Sequence, residues 1–219
     1  MNINDTLSEE ILQRYEFHDF GHALDILTSE YSEQWNEIVD CLEKIYISKD
    51  DIIEKGGSKS PVVKKFDKIM FDYDWKETQI IADLVVSLYD RNIGSKKQFG
   101  GEPAERSIVE GFLEGHNIDY VKSRVAFDLE WNSKDQTFDR DLSAMRMYYE
   151  CNVIDVGVIV TRAEDLNSVF RRLRILKKYG ASTTWMGKLL PRLNSRRQGG
   201  CPILAIGITK ENVVDGGDN

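Results

Sequence analysis

Two short apolar runs in the second half of the chain place the strongest limit on its fold. Val153–Thr161 reads VIDVGVIVT, and Ile203–Ile208 reads ILAIGI. Both runs are rich in β-branched residues, and neither alternates apolar with polar residues as a strand with one solvated face does. Each is far shorter than the about 20 residues that a membrane-spanning helix needs. They predict two strands of a sheet that is covered on both faces.

The segments around these runs predict the rest of the sheet and its helices. Ile118–Val121 and Arg124–Trp131 have the pattern of extended chain, and Lys122–Ser123 between them fits a turn. Helical patterns follow at Phe138–Glu150 and at about residues 164–178. Strands that alternate with helices predict an α/β fold class, with a mixed central β-sheet flanked by helices.

The first half of the chain has the pattern of a helical support region. Apolar residues recur at spacings of three and four between Leu24 and Ile45, and Pro61 fits the first turn of a helix running toward Phe71. Thr78–Asp90 fits either a helix or a strand, and its pattern does not decide between them.

We expect a single domain over residues 1–219, with a mainly helical region at 1–103 and the α/β core at 104–210. The Gly-rich stretches at residues 55–60 and 94–103 predict loops. The three cysteines are widely spaced and form no CxxC pair, so we interpret Cys41, Cys151 and Cys201 as buried small apolar residues. The polar N-terminus has no signal-peptide core, which favours a cytoplasmic protein with no membrane partner.

The charges of the chain are unevenly distributed. The net charge of −8, from 29 basic and 37 acidic residues, by itself argues against a nucleic-acid partner. Residues 162–197, however, carry ten Lys or Arg side chains and only two acidic ones. A basic segment in an acidic protein attracts polyanions. Charge alone leaves open a second interpretation, a basic surface that acidic neighbours neutralise.

Asp119, Asp128 and Glu130 form the candidate reaction centre. Residues two apart in a strand project from the same face, so we expect Asp128 and Glu130 side by side. Neighbouring carboxylates near a protein interior repel unless a cation or a proton lies between them. If the turn brings Asp119 beside the same strand, three oxygen donors converge on one point, a donor set that suits Mg²⁺. Alternatively, Asp128 and Glu130 only line the solvated face of an amphipathic strand, and Asp119 caps a turn.

The block from Asp119 to Glu130 (DYVKSRVAFDLE), followed by NVIDVGV at Asn152–Val158, resembles the core of BglII/BstYI-type restriction endonucleases. A weaker likeness extends upstream to Trp75–Glu77 and downstream to the last apolar run. The resemblance implies a PD-(D/E)xK restriction-endonuclease-like core. Acidic metal ligands beside a cationic surface also suit phosphodiester hydrolysis, because Mg²⁺ polarises the phosphate and activates a bound water.

The resemblance implies roles for four acidic residues. Asp119 and Asp128 correspond to the metal ligands, and Glu130 joins them in the catalytic set. Glu130 stands where most nucleases of this fold have Lys and BglII-like members have Gln, which leaves the general base open. Glu77 lies next to the position of an accessory active-site group.

Residues 179–200 are the predicted DNA-reading loop. Hydroxyl side chains followed by a cation at a helix start suit contacts with phosphates and base edges, although the same hydroxyls fit a helix N-cap. Lys134 either supplies the positive charge of the Lys that Glu130 replaces or is a solvated turn lysine. The candidate DNA-binding residues are Lys59, Lys134, Ser182, Thr183, Thr184, Lys188, Arg192, Arg196 and Arg197.

The sequence therefore predicts a type II restriction endonuclease that uses Mg²⁺ for sequence-specific hydrolysis of phosphodiester bonds in double-stranded DNA. The resemblance points to a palindrome related to GATC, and a palindrome suits a homodimer because both have two-fold symmetry. The Met- and Tyr-rich helix at Phe138–Glu150 fits either the dimer interface or the core. Two alternatives remain, a structure-specific or repair nuclease of the same fold and a DNA-binding protein without catalysis.

Overall fold

The structure is a computed structural model that describes Ile3 and residues 6–54, 59–89 and 103–215. The described residues up to Thr78 and from Ile118 onward form one compact unit, and those from Gln79 to Asn117 form a second. In chain order the elements are α1 (Glu9–Arg14), β1 (Tyr15–Phe20), α2 (Ala23–Ser29), α3 (Ser32–Lys44), β2 (Ile47–Ser48), α4 (Lys49–Ile53), α5 (Pro61–Asp72), β3 (Lys76–Thr78), β4 (Ile81–Leu88), β5 (Glu105–Glu114), β6 (Ile118–Lys122), β7 (Val125–Glu130), α6 (Thr137–Glu150), β8 (Val156–Arg162), α7 (Leu166–Arg172), α8 (Met186–Asn194), β9 (Ile203–Ile208) and β10 (Val213–Val214).

A mixed six-stranded sheet forms the centre of the first unit, in the order β1-β9-β8-β7-β6-β3. Strands β7, β8 and β9 are parallel to one another, whereas β1, β6 and β3 join by antiparallel pairing. Every residue of the three parallel strands is buried. Since helices cover this sheet, the predicted α/β class and the two buried strands are confirmed.

Alternation along β7 separates an aromatic core from an acidic face. The Phe127 ring lies 6.2 Å from that of Phe66, 6.5 Å from that of Trp75 and 5.5 Å from that of Tyr120, measured between centroids. These rings come from α5, the segment before β3, and β6, so they fix the positions of those elements against the sheet. The residues that alternate with Phe127 along β7 project to the opposite, acidic face of the sheet.

Two predicted helices are confirmed and one is shorter than expected. Helix α5 begins at Pro61, where Ser60 caps it by accepting a hydrogen bond from the Val63 N–H. Helix α6 matches the predicted segment within one residue. Helix α7 ends at Arg172 rather than near residue 178, because Arg174 adopts a left-handed conformation with φ of 59°.

The N-terminal region contains more strand than its pattern indicates. Strand β1 is an edge of the central sheet, pairing Tyr15 with Ile208 and Phe20 with Ile203. The undecided segment contains strand β4 (Ile81–Leu88), which pairs antiparallel with β5 in the second unit. Of the two predicted loops, residues 55–58 and 94–102 lie outside the described residues.

Two further expectations can be compared with the structure. Cys41 and Cys201 are buried as expected, but Cys151 is exposed because it follows the last residue of α6 at the surface. Within the described part of the chain, no helix is both long enough and apolar enough to cross a membrane.

Candidate active site

Asp119 on β6 and Asp128 on β7 face each other across an antiparallel hairpin. The register pairs Tyr120 with Phe127, which places Asp119 opposite Asp128, and Ser123 makes the predicted turn with φ of 53°. The Asp119 N–H donates to Asp128 Oδ1 (N–O distance 2.8 Å), and the Leu129 N–H donates to Asp119 Oδ2 (3.2 Å). Each carboxylate is therefore held by the backbone of the opposite strand.

Glu130 ends β7 on the same face as Asp128, and both are removed from solvent. Their exposed fractions are 8% and 4%. Asp128 Oδ2 and Glu130 Oε2 are buried and have no hydrogen-bond partner among the described residues. The Glu130 backbone carbonyl accepts a 2.8 Å hydrogen bond from the Thr161 hydroxyl of β8, which fixes the end of the strand. Buried carboxylate oxygens without a donor are unfavourable unless a proton or a cation compensates them.

The electrostatics of this site disfavour ionised carboxylates. Burial raises the pKa of Asp119, and it raises the pKa of Asp128 well above its usual range, with the Asp119 charge adding to the effect. Burial also raises the pKa of Glu130 to about 7, against the opposing effect of a Ser133 hydrogen bond. Carboxyl groups in this state gain stability from a nearby cation.

Asp141 on α6 adds a fourth carboxylate that sequence reasoning missed. It is 3% exposed, and its Oδ2 is buried without a hydrogen-bond partner among the described residues. Its pKa is raised to about 10, by burial and then by the negative charges of Asp128 and Glu130. A signal was present in the sequence, since the apolar stripe of α6 runs through Phe138 and Leu142 and Asp141 lies on that stripe.

The donor set fits a hard cation in its chemistry. Asp119 and Asp128 offer carboxylate oxygens, the ligands that Mg²⁺ prefers, and Asp128 keeps one buried oxygen unpaired. Among the described residues, no group of three or more His, Cys, Asp or Glu is arranged to hold a metal ion. The expected convergence of three donors is therefore not observed. Mg²⁺ is commonly bound through one or two carboxylates together with waters and substrate phosphates, so two protein ligands suffice.

Lys59 and Glu77 both lie near Asp119. Lys59 Nζ is 2.7 Å from Asp67 Oδ2. The other oxygen of Asp67, Oδ1, accepts a 2.7 Å hydrogen bond from the hydroxyl of Tyr120, the residue that follows Asp119 in the chain. Glu77 is exposed on β3, the neighbour of β6 in the sheet. The charges of both residues act on the Asp119 carboxyl. Asp67, which joins Lys59 to the sheet, was not identified from the sequence.

Four of the predicted DNA-binding residues come together in a short antiparallel pairing, which we name the bridge ribbon (residues 133–135 and 182–184). Lys134 pairs with Thr183; the Thr184 N–H donates to the Ser133 carbonyl, and the Asp135 N–H donates to the Ser182 carbonyl, both at 2.9 Å. Lys134 and Ser182 are exposed. The ribbon begins three residues after Glu130, so it lies directly beyond the end of β7.

Two expectations for this loop need correction. Thr184 is fully buried, so its hydroxyl does not face DNA in this structure. The N-cap of α8 is Trp185, with no side-chain hydrogen bond to the helix, so the alternative in which Ser or Thr caps this helix is also wrong.

The remaining basic candidates lie on or just after α8, and most are paired with acids. Arg192 bonds both oxygens of Asp139, at 3.0 and 3.1 Å, and Arg197 bonds the same carboxylate. Lys188 lies 3.7 Å from Asp135. Arg196 is exposed, with no ion pair to any described residue. Acidic neighbours thus neutralise part of the basic segment.

Comparison with known proteins agrees with this geometry. The family model described as restriction endonuclease BglII/BglIII matches residues 15–208, which begin with β1 and end with β9. No curated protein sequence gives a significant match. The matched region includes the whole central sheet and all four buried or half-buried carboxylates of the site. The chain therefore belongs to the BglII family of restriction endonucleases and is a type II site-specific deoxyribonuclease that binds double-stranded DNA.

Proposed function

We propose that this enzyme cleaves a palindromic duplex related to GATC in a Mg²⁺-dependent reaction centred on Asp119, Asp128 and Glu130. The observation that carries the proposal is the reciprocal backbone bonding of Asp119 and Asp128 beside buried carboxylate oxygens that lack a donor. The family generally depends on a divalent metal, which supports a cation as the missing partner.

Asp119 and Asp128 would hold the cation, which supplies polarisation of the scissile phosphate and activation of a water. The hairpin holds both side chains in place before substrate binds, so little reorganisation is needed when DNA arrives. Glu130 lies on the same face and accepts a proton from, or orients, the attacking water. Glu77, exposed on β3 beside the strand that carries Asp119, would act as an accessory group at this site.

The DNA-facing surface combines the bridge ribbon with the arginines around the end of α8. Lys134 and Ser182 offer exposed polar groups beside the catalytic strand, suited to base edges or phosphates. Arg192, Arg196 and Arg197 supply positive charge for the phosphate backbone. Lys59 adds a cation beside Asp119.

We further propose that the enzyme is a homodimer and works in the cytoplasm, where a restriction enzyme meets its substrate. A two-fold axis lets two identical sites address the two strands of a palindrome. Met145 and Tyr148 of α6 are fully buried within the subunit, so these side chains belong to the core and do not support α6 as the interface. Sedimentation of the purified enzyme with and without DNA tests the dimer directly.

The test of the function is cleavage of unmethylated plasmid and phage DNA in Mg²⁺ and in EDTA, followed by sequencing of the ends. We expect discrete fragments with Mg²⁺ only, and a single palindrome at the ends. Glu164→Gln, an acid-to-amide change at an exposed residue after the end of β8, is the control for Asp128→Asn. A smear would favour a structure-specific or repair nuclease. Intact DNA in Mg²⁺, with folded protein, would contradict the proposal.

A further inference from the structure

Arg162, the last residue of β8, is a buried cation that the catalytic mechanism does not use. It is 1% exposed, and no carboxylate lies within ion-pair distance of it in the described parts of the chain. Its guanidinium carbon lies 5.3 Å from the centroid of the Phe170 ring and 5.1 Å from that of Tyr179. Aromatic faces compensate part of the desolvation of a guanidinium, but a buried charge also needs hydrogen-bond acceptors.

The two side-chain hydrogen bonds that Arg162 donates to described residues both end on one strand of the bridge ribbon. Arg162 Nε donates to the Thr184 carbonyl at 3.1 Å, and one terminal nitrogen donates to Thr183 Oγ1 at 2.6 Å. Thr183 Oγ1 in turn donates to the Gly180 carbonyl at 2.7 Å. The planar guanidinium fork therefore fixes this strand against the end of β8 in a geometry that a lysine cannot reproduce.

The other strand of the ribbon is fixed to the catalytic strand by covalent continuity. Glu130 is three residues before Ser133, and its carbonyl accepts the hydrogen bond from Thr161, the neighbour of Arg162. The result is a closed path of short contacts, which runs through Glu130, Ser133, Thr184, Arg162 and Thr161. This path is a physical connection through which a displacement at the exposed edge of the ribbon would reach the backbone of Glu130.

We propose that Arg162 is a positioning residue that couples DNA contact at the bridge ribbon to the placement of Glu130, so that full cleavage requires the correct duplex. The inference rests on the proposed function, since it assumes that Lys134 and Ser182 face DNA. It concerns an interaction inside the protein, so Arg162 itself touches neither DNA nor the cation.

The test replaces Arg162 by Lys, which keeps the charge and loses the fork. We expect kcat at the cognate site to fall about tenfold, the effect of losing one charge-assisted hydrogen bond. Discrimination against sites that differ by one base pair should fall by a similar factor. Duplex affinity, measured with Ca²⁺ in place of Mg²⁺, should change less than about threefold, because phosphate contacts dominate it. Arg171→Lys, the same change on the exposed surface of α7, should leave all three quantities unchanged.

A second variant keeps the inference testable if Arg162→Lys unfolds. Thr183→Val removes the hydroxyl that accepts from Arg162 and should lower kcat and discrimination in the same direction. In the double variant the two losses should not add, because both substitutions break the same contact. A folded Arg162→Lys enzyme with unchanged kcat and discrimination would overturn the coupling. A wild-type enzyme that cuts no duplex would instead contradict the proposed function.

Discussion

Arg192 and Asp139 form a bidentate ion pair between helices α8 and α6. Arg192 Nε and a terminal nitrogen contact the two oxygens of Asp139 at 3.0 and 3.1 Å, and Arg197 contacts the same carboxylate. These contacts lower the pKa of Asp139. Two of the cations proposed for DNA phosphates are thus occupied by a protein carboxylate in the free enzyme, so Asp139 competes with DNA for them.

We predict that Asp139→Asn strengthens non-specific DNA binding. Removal of the negative charge frees Arg192 and Arg197 for phosphates, so the slope of log affinity against log salt should become more negative by about 1 to 2. Fluorescence anisotropy with a duplex that lacks the cognate site, measured across a salt series, gives this slope. Arg192→Ala is the opposite control and should weaken binding. An unchanged slope in Asp139→Asn would place these arginines away from DNA.

We predict that Asp128→Asn abolishes cleavage and preserves DNA binding. Loss of the carboxylate removes a proposed cation ligand, and metal stabilisation of several kcal/mol corresponds to a rate loss of at least about 10³-fold. The side-chain oxygen of Asn still accepts the Asp119 N–H, so the hairpin is retained. Single-turnover cleavage and anisotropy in Ca²⁺ separate the two effects. Cleavage within tenfold of wild type would remove Asp128 from the reaction.

We predict that Asp141→Asn stabilises the metal-free protein. Burial beside Asp128 and Glu130 raises the pKa of Asp141 to about 10, so at neutral pH folding must protonate this carboxyl, whereas a neutral amide avoids that cost and should add about 1–3 kcal/mol to the free energy of unfolding. Chemical unfolding in EDTA at neutral pH measures the change. Asp155→Asn is the matched control of opposite sign, because Asp155 pairs with Arg124 through both oxygens at 2.7 Å. A destabilised Asp141→Asn protein would show that Asp141 serves the apo fold.

The elements set by local pattern were predictable from the sequence, and those set by distant partners were not. Strand β9 is apolar throughout and β8 is apolar from Val156 to Val160, and the eight residues between Asp119 and Asp128 contain their own turn, so both features were visible. Strand β1 was missed because its six residues stand between helical patterns and pair with β9, almost two hundred residues later.

The same distinction applies to the candidate site. Strand alternation predicts that Asp128 and Glu130 share one face of β7. Lys134 instead pairs with Thr183 only because α6, β8 and α7, which lie between them in the chain, fold so as to bring them together. Helical periodicity alone places Asp141 on the apolar stripe of α6. Identifying it as a site residue required recognising a carboxylate on that stripe as an exception to the pattern. The pairing of Arg192 with Asp139 depends on the packing of two helices and has no local signature in either segment.

We predict, finally, that the metal-free enzyme loses stability as the pH rises from about 4.5 to about 10. Burial raises the pKa of Glu130 to about 7 and that of Asp141 to about 10, above their usual values. A raised carboxyl pKa contributes stability that is complete below the unfolded-state pKa and is lost as the pH passes the folded-state pKa. Carboxyls with lowered pKa, such as Asp139 and Asp155, act at lower pH and leave this window unaffected.

Thermal unfolding in EDTA should give a falling Tm across the window, and Mg²⁺ should restore stability most at the alkaline end. Asp141→Asn should flatten the EDTA curve. A Tm in EDTA that is constant or rises with pH would show that these carboxyls are solvated in the folded enzyme.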